Sequence, residues 1–387
     1  MNPIQILLVT GTRADFGLWL PIIREAERRA DFEVSLLVTA MHLDPRFGET
    51  VRDVRASGAR IAAEVPCTPA GDSLAEMAGA LGEAVRGMTP VLADERPDWL
   101  VLLGDRGEQA AAALVALHLG TPTAHLHGGE VTAGAVDDTL RDIISRVAHL
   151  HLVATADAAD RLEGMGEASW RIHRVGAPGL DDLRSEARGD LATLRQRFDL
   201  GDGPYLLLLQ HPETVGAHDP AADLAATVEA CRRTGMPVLA LFPNADAGGR
   251  GMVAVLEAAR DAGTLRVVAS LPREDFATLL ASAAALVGNS SSGLIEAPLL
   301  RTPTVNIGER QAGRTRGNNV LDVRSDADAI EASLRVATDP GFRKGLPGTS
   351  PYGDGQSAPR ILDLLATTPR DERLLRKRVG VGDDAHR

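Results

Sequence analysis

Several protein classes are excluded by what this sequence lacks. It has only two cysteines in 387 residues, Cys67 and Cys231, far apart and outside any CxxC, so neither a disulfide framework nor a thiolate zinc site organises the fold. No basic block precedes the C-terminal tail and the formal net charge is −12, which disfavours nucleic acid or an anionic membrane as a partner. A pocket on an acidic protein can still be locally positive, so a phosphorylated small molecule stays open. The longest apolar runs, such as Tyr205 to Leu209, fall far short of the roughly 20 residues a spanning helix needs. The N-terminal apolar run, Ile4 to Val9, has no basic segment before it, so no signal peptide is expected and a cytoplasmic location is. No GxGxxG or Walker motif occurs, which disfavours a dinucleotide cofactor or a P-loop phosphoryl donor.

The 44% hydrophobic and 24% charged residues are an ordinary globular balance. The chain is too long for one hydrophobic core, so two domains are expected. Short apolar runs alternate with helix-like intervals: IQILLVT (4–10), FEVSLLVT (32–39), DWLVLLG (98–104), PTAHLH (122–127) and HLHLVAT (149–155), with an amphipathic stretch starting near Gly17. A second series runs through YLLLLQ (205–210), MPVLALFP (236–243), TLRVVAS (264–270), AALVGN (284–289) and TPTVNIG (302–308). Strands alternating with helices imply right-handed crossovers and mainly parallel sheets. The expected class is therefore α/β, two Rossmann-like domains facing a cleft, joined near the Gly/Pro cluster VGAPGLDDL (175–183). The boundaries read as 1–177, 178–356 and a C-terminal helix with charged tail over 357–387. Beyond Thr368 the tail is charged and a poorly packed end is expected, with SAPRILDLLAT (357–367) as the last ordered element.

In open α/β sheets ligands bind beyond the carboxyl ends of the strands. Seven polar loops, six of them glycine-bearing, fall at that edge: GTRADFG (11–17), GDRGE (104–108), HGGEVTAGAVDD (127–138), QHPET (210–214), FPNADAGG (242–249), GNSSSG (288–293) and GERQAGR (308–314). GNSSSG leads into LIEAPLL, a helix start whose free amides attract phosphate, with Pro298 expected to kink the helix. Ordinary capping by Ser291 or Ser292 is the bland alternative. Glu296, about a turn on, is placed to accept from ribose hydroxyls, or is a solvated surface acid. Arg13 and Arg310 each follow a strand, and arginine matches phosphate with a forked donor set. Either alone reads equally as a surface arginine; with the serine loop they suggest a diphosphate held across the cleft.

His125 and His127 alternate at a strand end, so they point to opposite faces and chelate one ion poorly. No metal is expected, and His125 reads as a buried structural residue. His127, Glu130 and Asp137 remain as acid/base candidates near Asp105, because crowded carboxylates raise one another's pKa. The bland alternative is that Asp137 and Asp138 cap the helix TLRDIISRVAHL.

Together GTRADFGL, GDRGE, HLHGGEVTAGAVDD, VGAPGLD, QHPET, PNADAGG, GNSSSGLIEAP and NIGERQAGR resemble the hydrolysing UDP-N-acetylglucosamine 2-epimerases of sialic acid biosynthesis, in order and spacing from about residue 4 to 366. The resemblance implies a glycosyltransferase-B-like fold with no metal or other cofactor. It implies elimination of UDP to a 2-acetamidoglycal, then addition of water to give N-acetylmannosamine. By the same resemblance Asp105, Glu130 and Asp137 carry acid/base work and His211 lies near the leaving diphosphate. Arg13, Ser290, Ser291 and Arg310 match phosphate contacts, Glu296 matches the ribose contact, and Asn244 falls in a substrate-binding loop. One departure is His127, where some members carry Glu. The base (UDP or GDP) and the sugar's C4 and C6 substituents stay open, a diacetamido-trideoxyhexose among them. The expected partner is a nucleotide sugar, and a homodimer or homotetramer is expected. The rivals are a non-hydrolysing epimerase, a retaining glycosyltransferase of the same fold, and a nucleotide-sugar sensor. The first resembles this chain less, having an HRREN-type stretch for HPETV and a GDT-type loop for GDR.

Overall fold

A computed structural model describes residues 2–48, 50–69, 73–131, 136–213, 219–243 and 248–378. The chain divides into two compact units, Met1–Asp181 with Gln356–Arg387, and Asp182–Gly355. Each is a parallel α/β sheet.

The strands of unit 1 are β1 (Ile4–Thr10), β2 (Phe32–Thr39), β3 (Arg60–Val65), β4 (Trp99–Leu103), β5 (Thr123–Leu126), β6 (Leu150–Val153) and β7 (Ile172–Arg174). They form one sheet in the order β3-β2-β1-β4-β5-β6-β7. The central register pairs Ile4 with Phe32 and Ile6 with Trp99. Strand side chains alternate between the sheet's faces. Ile6, Leu8, Leu36, Val38, Trp99 and Val101 enter one core, and Leu7, Val9, Leu37, Leu100 and Leu102 enter the other. A sheet covered on both faces needs near-continuous apolar strands, which is why these runs do not alternate in polarity.

Unit 2 repeats the scheme with β8 (Leu206–Leu208), β9 (Val238–Leu241), β10 (Arg266–Val268), β11 (Ala285–Gly288), β12 (Thr304–Ile307) and β13 (Val320–Val323). Their order is β10-β9-β8-β11-β12-β13, with Leu206 paired to Val238 and to Ala285. Strands β3, β7 and β13 were not expected from the sequence. All three are edge strands, only partly buried, so they carry no continuous apolar run.

The helices used below are α1 (Arg13–Glu27), α2 (Gly107–Leu119), α3 (Val136–Val147), α4 (Ser292–Ile295), α5 (Ser357–Thr367) and α6 (Glu372–Leu375). Helix α1 starts four residues before the expected Gly17, because Thr12 and Asp15 form a reciprocal capping box. Helix α5 returns to unit 1. Asp181 accepts the Ser357 and Ala358 amides at 2.9 and 2.5 Å, and Trp99 Nε1 donates to the Leu365 carbonyl at 3.0 Å.

The expectation of a poorly packed end after Thr368 is corrected. Leu374 in α6 is buried in the unit 1 core, and buried Arg171 donates to the Arg373 and Leu374 carbonyls. Of the tail's charges, Lys377 is partnered inside the protein, 2.8 Å from the fully buried Glu167 side chain. No helix among the described residues is long and apolar enough to cross a membrane.

Three buried histidines make unit 1 sensitive to acid. Burial pushes His125 down to about 3, and His149 and His151 to about 4. His149 Nδ1 accepts the Thr123 amide at 3.0 Å, which requires it unprotonated. These groups bind protons more readily unfolded than folded, so their stabilising effect is complete above the ordinary histidine pKa. It is lost as the pH falls from about 6.5 towards 4, by about 1.4 kcal/mol per pH unit for each. The urea midpoint should fall between pH 7 and pH 5; a constant or rising midpoint would contradict this assignment.

Candidate functional site

In unit 1 the carboxyl ends of β4 and β5 bring the acid/base candidates together. Gly104 and Asp105 follow β4, and His127 follows β5 with its backbone in the left-handed region at φ 61°. A non-glycine residue there is unusual and persists where the surroundings fix it. The fixing bonds are the His127 amide to the Leu152 carbonyl, 3.2 Å, and Arg141 Nη1 to the His127 carbonyl, 2.9 Å. Gly128 follows because a β-carbon there would lie 2.8 Å from His125 Nδ1 and 2.9 Å from Ser145 Oγ.

Arg141 on α3 is 5% exposed, and its other terminal nitrogen pairs with Asp105 Oδ2. One guanidinium thus holds a carboxylate after β4 and a backbone carbonyl after β5. His127 Nδ1 lies 2.6 Å from Glu130 Oε1, with both side chains largely buried, and His127 Nε2 has no hydrogen-bond partner among the described residues. That nitrogen is buried, and an imidazole tied to a carboxylate through one nitrogen with the other unbonded can relay a proton to a group that reaches it.

Asp137 lies one turn before Arg141, in the first turn of α3. The helix starts at Val136, so Asp137 is inside it and not its cap. Partial desolvation, then the charge of Asp105, hold its carboxyl above the ordinary range, while Arg106 and Arg141 oppose them. It is exposed, as an acid that meets substrate must be.

His125 is structural, as expected. It is fully buried, with Nδ1 2.9 Å from Ser145 Oγ and Nε2 2.7 Å from the Gly104 carbonyl, so neither nitrogen is open to an ion. Among the described residues no group of three or more His, Cys, Asp or Glu side chains is arranged to hold a metal.

Arg106, Glu108 and Asp15 extend the site and were not singled out in the sequence. Arg106 Nε meets nearly buried Glu108 at 2.5 Å. Asp15 accepts the Gly11 and Thr12 amides at 3.1 and 3.2 Å, and burial raises its carboxyl. Arg13 stands apart at the start of α1, exposed, with Asp53 3.8 Å away. That is a weak surface pair.

In unit 2 the organising residue is Asn289, which sequence reasoning also missed. Its side chain accepts the His211 amide at 2.7 Å and donates to the His211 carbonyl at 3.0 Å. Its own carbonyl accepts Arg310 Nη1 at 3.2 Å and Gln311 Nε2 at 2.9 Å. Glu213 Oε1 accepts the Glu309 and Arg310 amides at 2.9 and 3.2 Å. Gly308, at φ 77°, leaves room for that carboxylate, with which a β-carbon would collide. His211, Ser290 and Arg310 are thereby gathered at one edge, where Gln210, His211, Glu213, Asn289, Gly308 and Glu309 contribute to a cavity of about 140 Å³.

The expected kinked helix through LIEAPLL is corrected. Helix α4 is one turn and Glu296 is its C-cap, so Pro298 lies beyond its end. Proline has no amide to donate and disfavours the helical region at Ala297 before it. Ser291 makes no side-chain cap bond and Ser290 Oγ accepts the Ser292 amide at 3.4 Å. Glu296 lies 3.9 Å from Arg273, which also meets Glu186 at 2.8 Å. Asn244 lies outside the described residues.

Comparison with known proteins is decisive. The UDP-N-acetylglucosamine 2-epimerase family matches residues 24–366. The chain belongs to this family. As a member it is a nucleotide-sugar 2-epimerase. Among relatives, it is 37% identical over 374 residues to the UDP-N,N'-diacetylbacillosamine 2-epimerase (hydrolyzing) of Legionella pneumophila, covering 96% of this chain and 98% of that one. It is 32% identical to a UDP-N-acetylglucosamine 2-epimerase of Neisseria meningitidis, over 86% and 88% of the two chains. Among solved structures, a Listeria monocytogenes protein described as a putative UDP-N-acetylglucosamine 2-epimerase superposes with TM-score 0.80 at 20% identity, covering 96% and 99%. The Neisseria meningitidis enzyme bound to UDP-GlcNAc gives 0.79 at 18%, covering 94% and 100%. These place the two parallel-sheet α/β units in the glycosyltransferase-B-like fold of the family.

The epimerase geometry makes Arg141 a sensitive point. Arg141→Met should lower kcat by about 10²-fold, the scale of a misplaced catalytic group, while the protein still folds. An unchanged kcat would show that Asp105 and His127 hold their places without it.

Proposed function

We propose that the chain hydrolyses a UDP-linked 2-acetamido sugar with inversion at C2, releasing UDP and the free manno-configured sugar. A 2,4-diacetamido-2,4,6-trideoxy sugar is the preferred substrate. The observation that carries the reaction is the His127–Glu130 pair, whose second imidazole nitrogen is buried and makes no hydrogen bond among the described residues, together with the raised carboxyl of Asp137. The sugar rests on the similarity to the Legionella pneumophila enzyme.

The C2 proton of the sugar is not acidic, since no carbonyl neighbours it. The bond from C1 to the diphosphate oxygen must be largely broken first, and most of the barrier is lowered by stabilising the departing UDP. His211, Ser290, Ser291 and Arg310 in unit 2 are assigned that work. Asn244 and Glu296 are assigned to the nucleoside, and Arg13 to substrate binding. As the C1–O pair leaves with UDP, the His127–Glu130 pair takes the C2 proton and the electrons of that C–H bond form the C1–C2 double bond of the 2-acetamidoglycal. Water then adds its oxygen to C1, and a carboxylic acid delivers a proton to the other face of C2. Asp137 is assigned that delivery, and Asp105 orients the water and takes the proton it releases. Nothing is oxidised or reduced, so no redox cofactor enters. The enzyme is placed in the cytoplasm as a homodimer or homotetramer.

In heavy-oxygen water the label should appear at C1 of the released sugar, and in deuterated water the sugar should gain deuterium at C2. Label in UDP would mean attack at phosphorus and would sink the scheme. Mass spectrometry across UDP- and GDP-sugars should show the diacetamido substrate consumed in preference to UDP-N-acetylglucosamine; the reverse order would overturn the sugar assignment alone.

His127→Ala and Asp137→Asn should each lower turnover by about 10²–10⁴-fold, the usual worth of general acid/base catalysis. UDP affinity should be unchanged in both, because the main diphosphate contacts belong to unit 2. Full activity in His127→Ala would make the histidine structural and leave Glu130 as the base.

A further inference from the structure

Helix α3 carries Asp137 and Arg141 near its start, and its other end is closed by residues from the far end of the chain. The last carbonyls of a helix have no partner within it and carry a partial negative charge. Here Lys377 Nζ donates to the carbonyls of Ser145, Arg146 and Ala148 at 2.8, 3.0 and 2.7 Å. The same ammonium lies 2.8 Å from Glu167 Oε2, with 8% of the lysine side chain and none of the glutamate exposed. Glu167 also meets His151 Nε2 at 3.0 Å and Arg146 at 3.5 Å.

A second set of contacts holds the segment that delivers Lys377. Asp371 caps α6 through the Leu374 amide at 3.1 Å. Arg171 ties the Leu374 and Arg373 carbonyls to the His149 carbonyl, at 3.0, 2.9 and 2.9 Å. The guanidinium groups of Arg171 and Arg373 lie 4.2 and 4.5 Å from the Trp170 ring. An ammonium and a carboxylate buried together are costly to desolvate, so a loose chain end would not place them there.

We infer that residues 371–377 form a clasp that positions the acid/base helix α3, with Lys377 as its positioning residue. The inference rests on the proposed acid/base role of that helix. Ser145 receives Lys377 through its carbonyl and His125 through its hydroxyl, and His125 holds the Gly104 carbonyl next to Asp105. On the same helix Arg141 holds Asp105 and the His127 carbonyl. Movement of the clasped end is therefore transmitted to both loops that bear the acid/base groups, while the nucleotide contacts in unit 2 are untouched.

The test is Lys377→Ala, assayed with the UDP-sugar well below its unfolding temperature. Its kcat should fall by about tenfold or more, on the scale of a misplaced catalytic group. KM should not move, Lys377→Arg should recover most of the rate, and ethylammonium should restore part of it to Lys377→Ala. Hydrogen exchange over 137–147 should accelerate in the alanine variant and return towards wild type in the arginine variant. Unchanged kcat, or unchanged exchange over that helix, would overturn the clasp. Should Lys377→Ala not fold, Arg373→Ala removes only an exposed side chain stacked on Trp170. It should show the same kcat-selective loss in weaker form, and a wild-type kcat there would equally overturn the clasp. If the wild-type chain turns over no UDP-sugar, the functional reading fails and exchange alone decides the clasp.

Discussion

The proposed acid/base site of unit 1 depends on one buried cation. Arg141 is where the loop after β4 and the turn after β5 are made to keep a common geometry, by pairing with Asp105 and donating to the His127 carbonyl. A lone buried charge would be costly, and a guanidinium meets the need for several acceptors in a plane that an ammonium could not. The left-handed backbone of His127 persists because its amide and carbonyl are both held. That conformation turns the imidazole towards Glu130. His125 and Ser145 supply a neutral second tie between the same loop and the same helix.

Unit 2 fixes its proposed nucleotide loops through backbone atoms. The Asn289 side chain fixes the His211 backbone through two amide bonds, and Glu213 fixes the Glu309–Arg310 backbone in the same way. Backbone atoms absorb these positioning bonds.

The sheets were legible in the sequence wherever strands are buried on both faces, as in IQILLVT and YLLLLQ. RIAAEV, IHR and VLDV escaped because an edge strand needs no continuous apolar run. Site loops could be read because glycine and polar residues follow the strands directly, so Asp105, His127 and Glu130 were found. Arg141 was not singled out because it lies inside a helix, away from the loops that follow the strands. The four-residue spacing of Asp137, Arg141 and Ser145 was the signal that places them on one face. Asn289 was hidden by the serines beside it, and Pro298 was misread because a sequence does not show that the helix before it has only one turn. The charged tail misled because charge density reports solvation only until partners such as Glu167 are found.

If elimination and hydration are both carried out by the unit 1 cluster, the second half-reaction should run without the first. Synthetic 2-acetamidoglycal given to the enzyme with UDP should be hydrated to the manno-configured sugar, and Asp137→Asn should lose that hydration. A glycal left intact by the wild-type enzyme, while the UDP-sugar is still converted, would contradict the elimination route and with it the division of labour argued for Asp105, His127, Glu130 and Asp137.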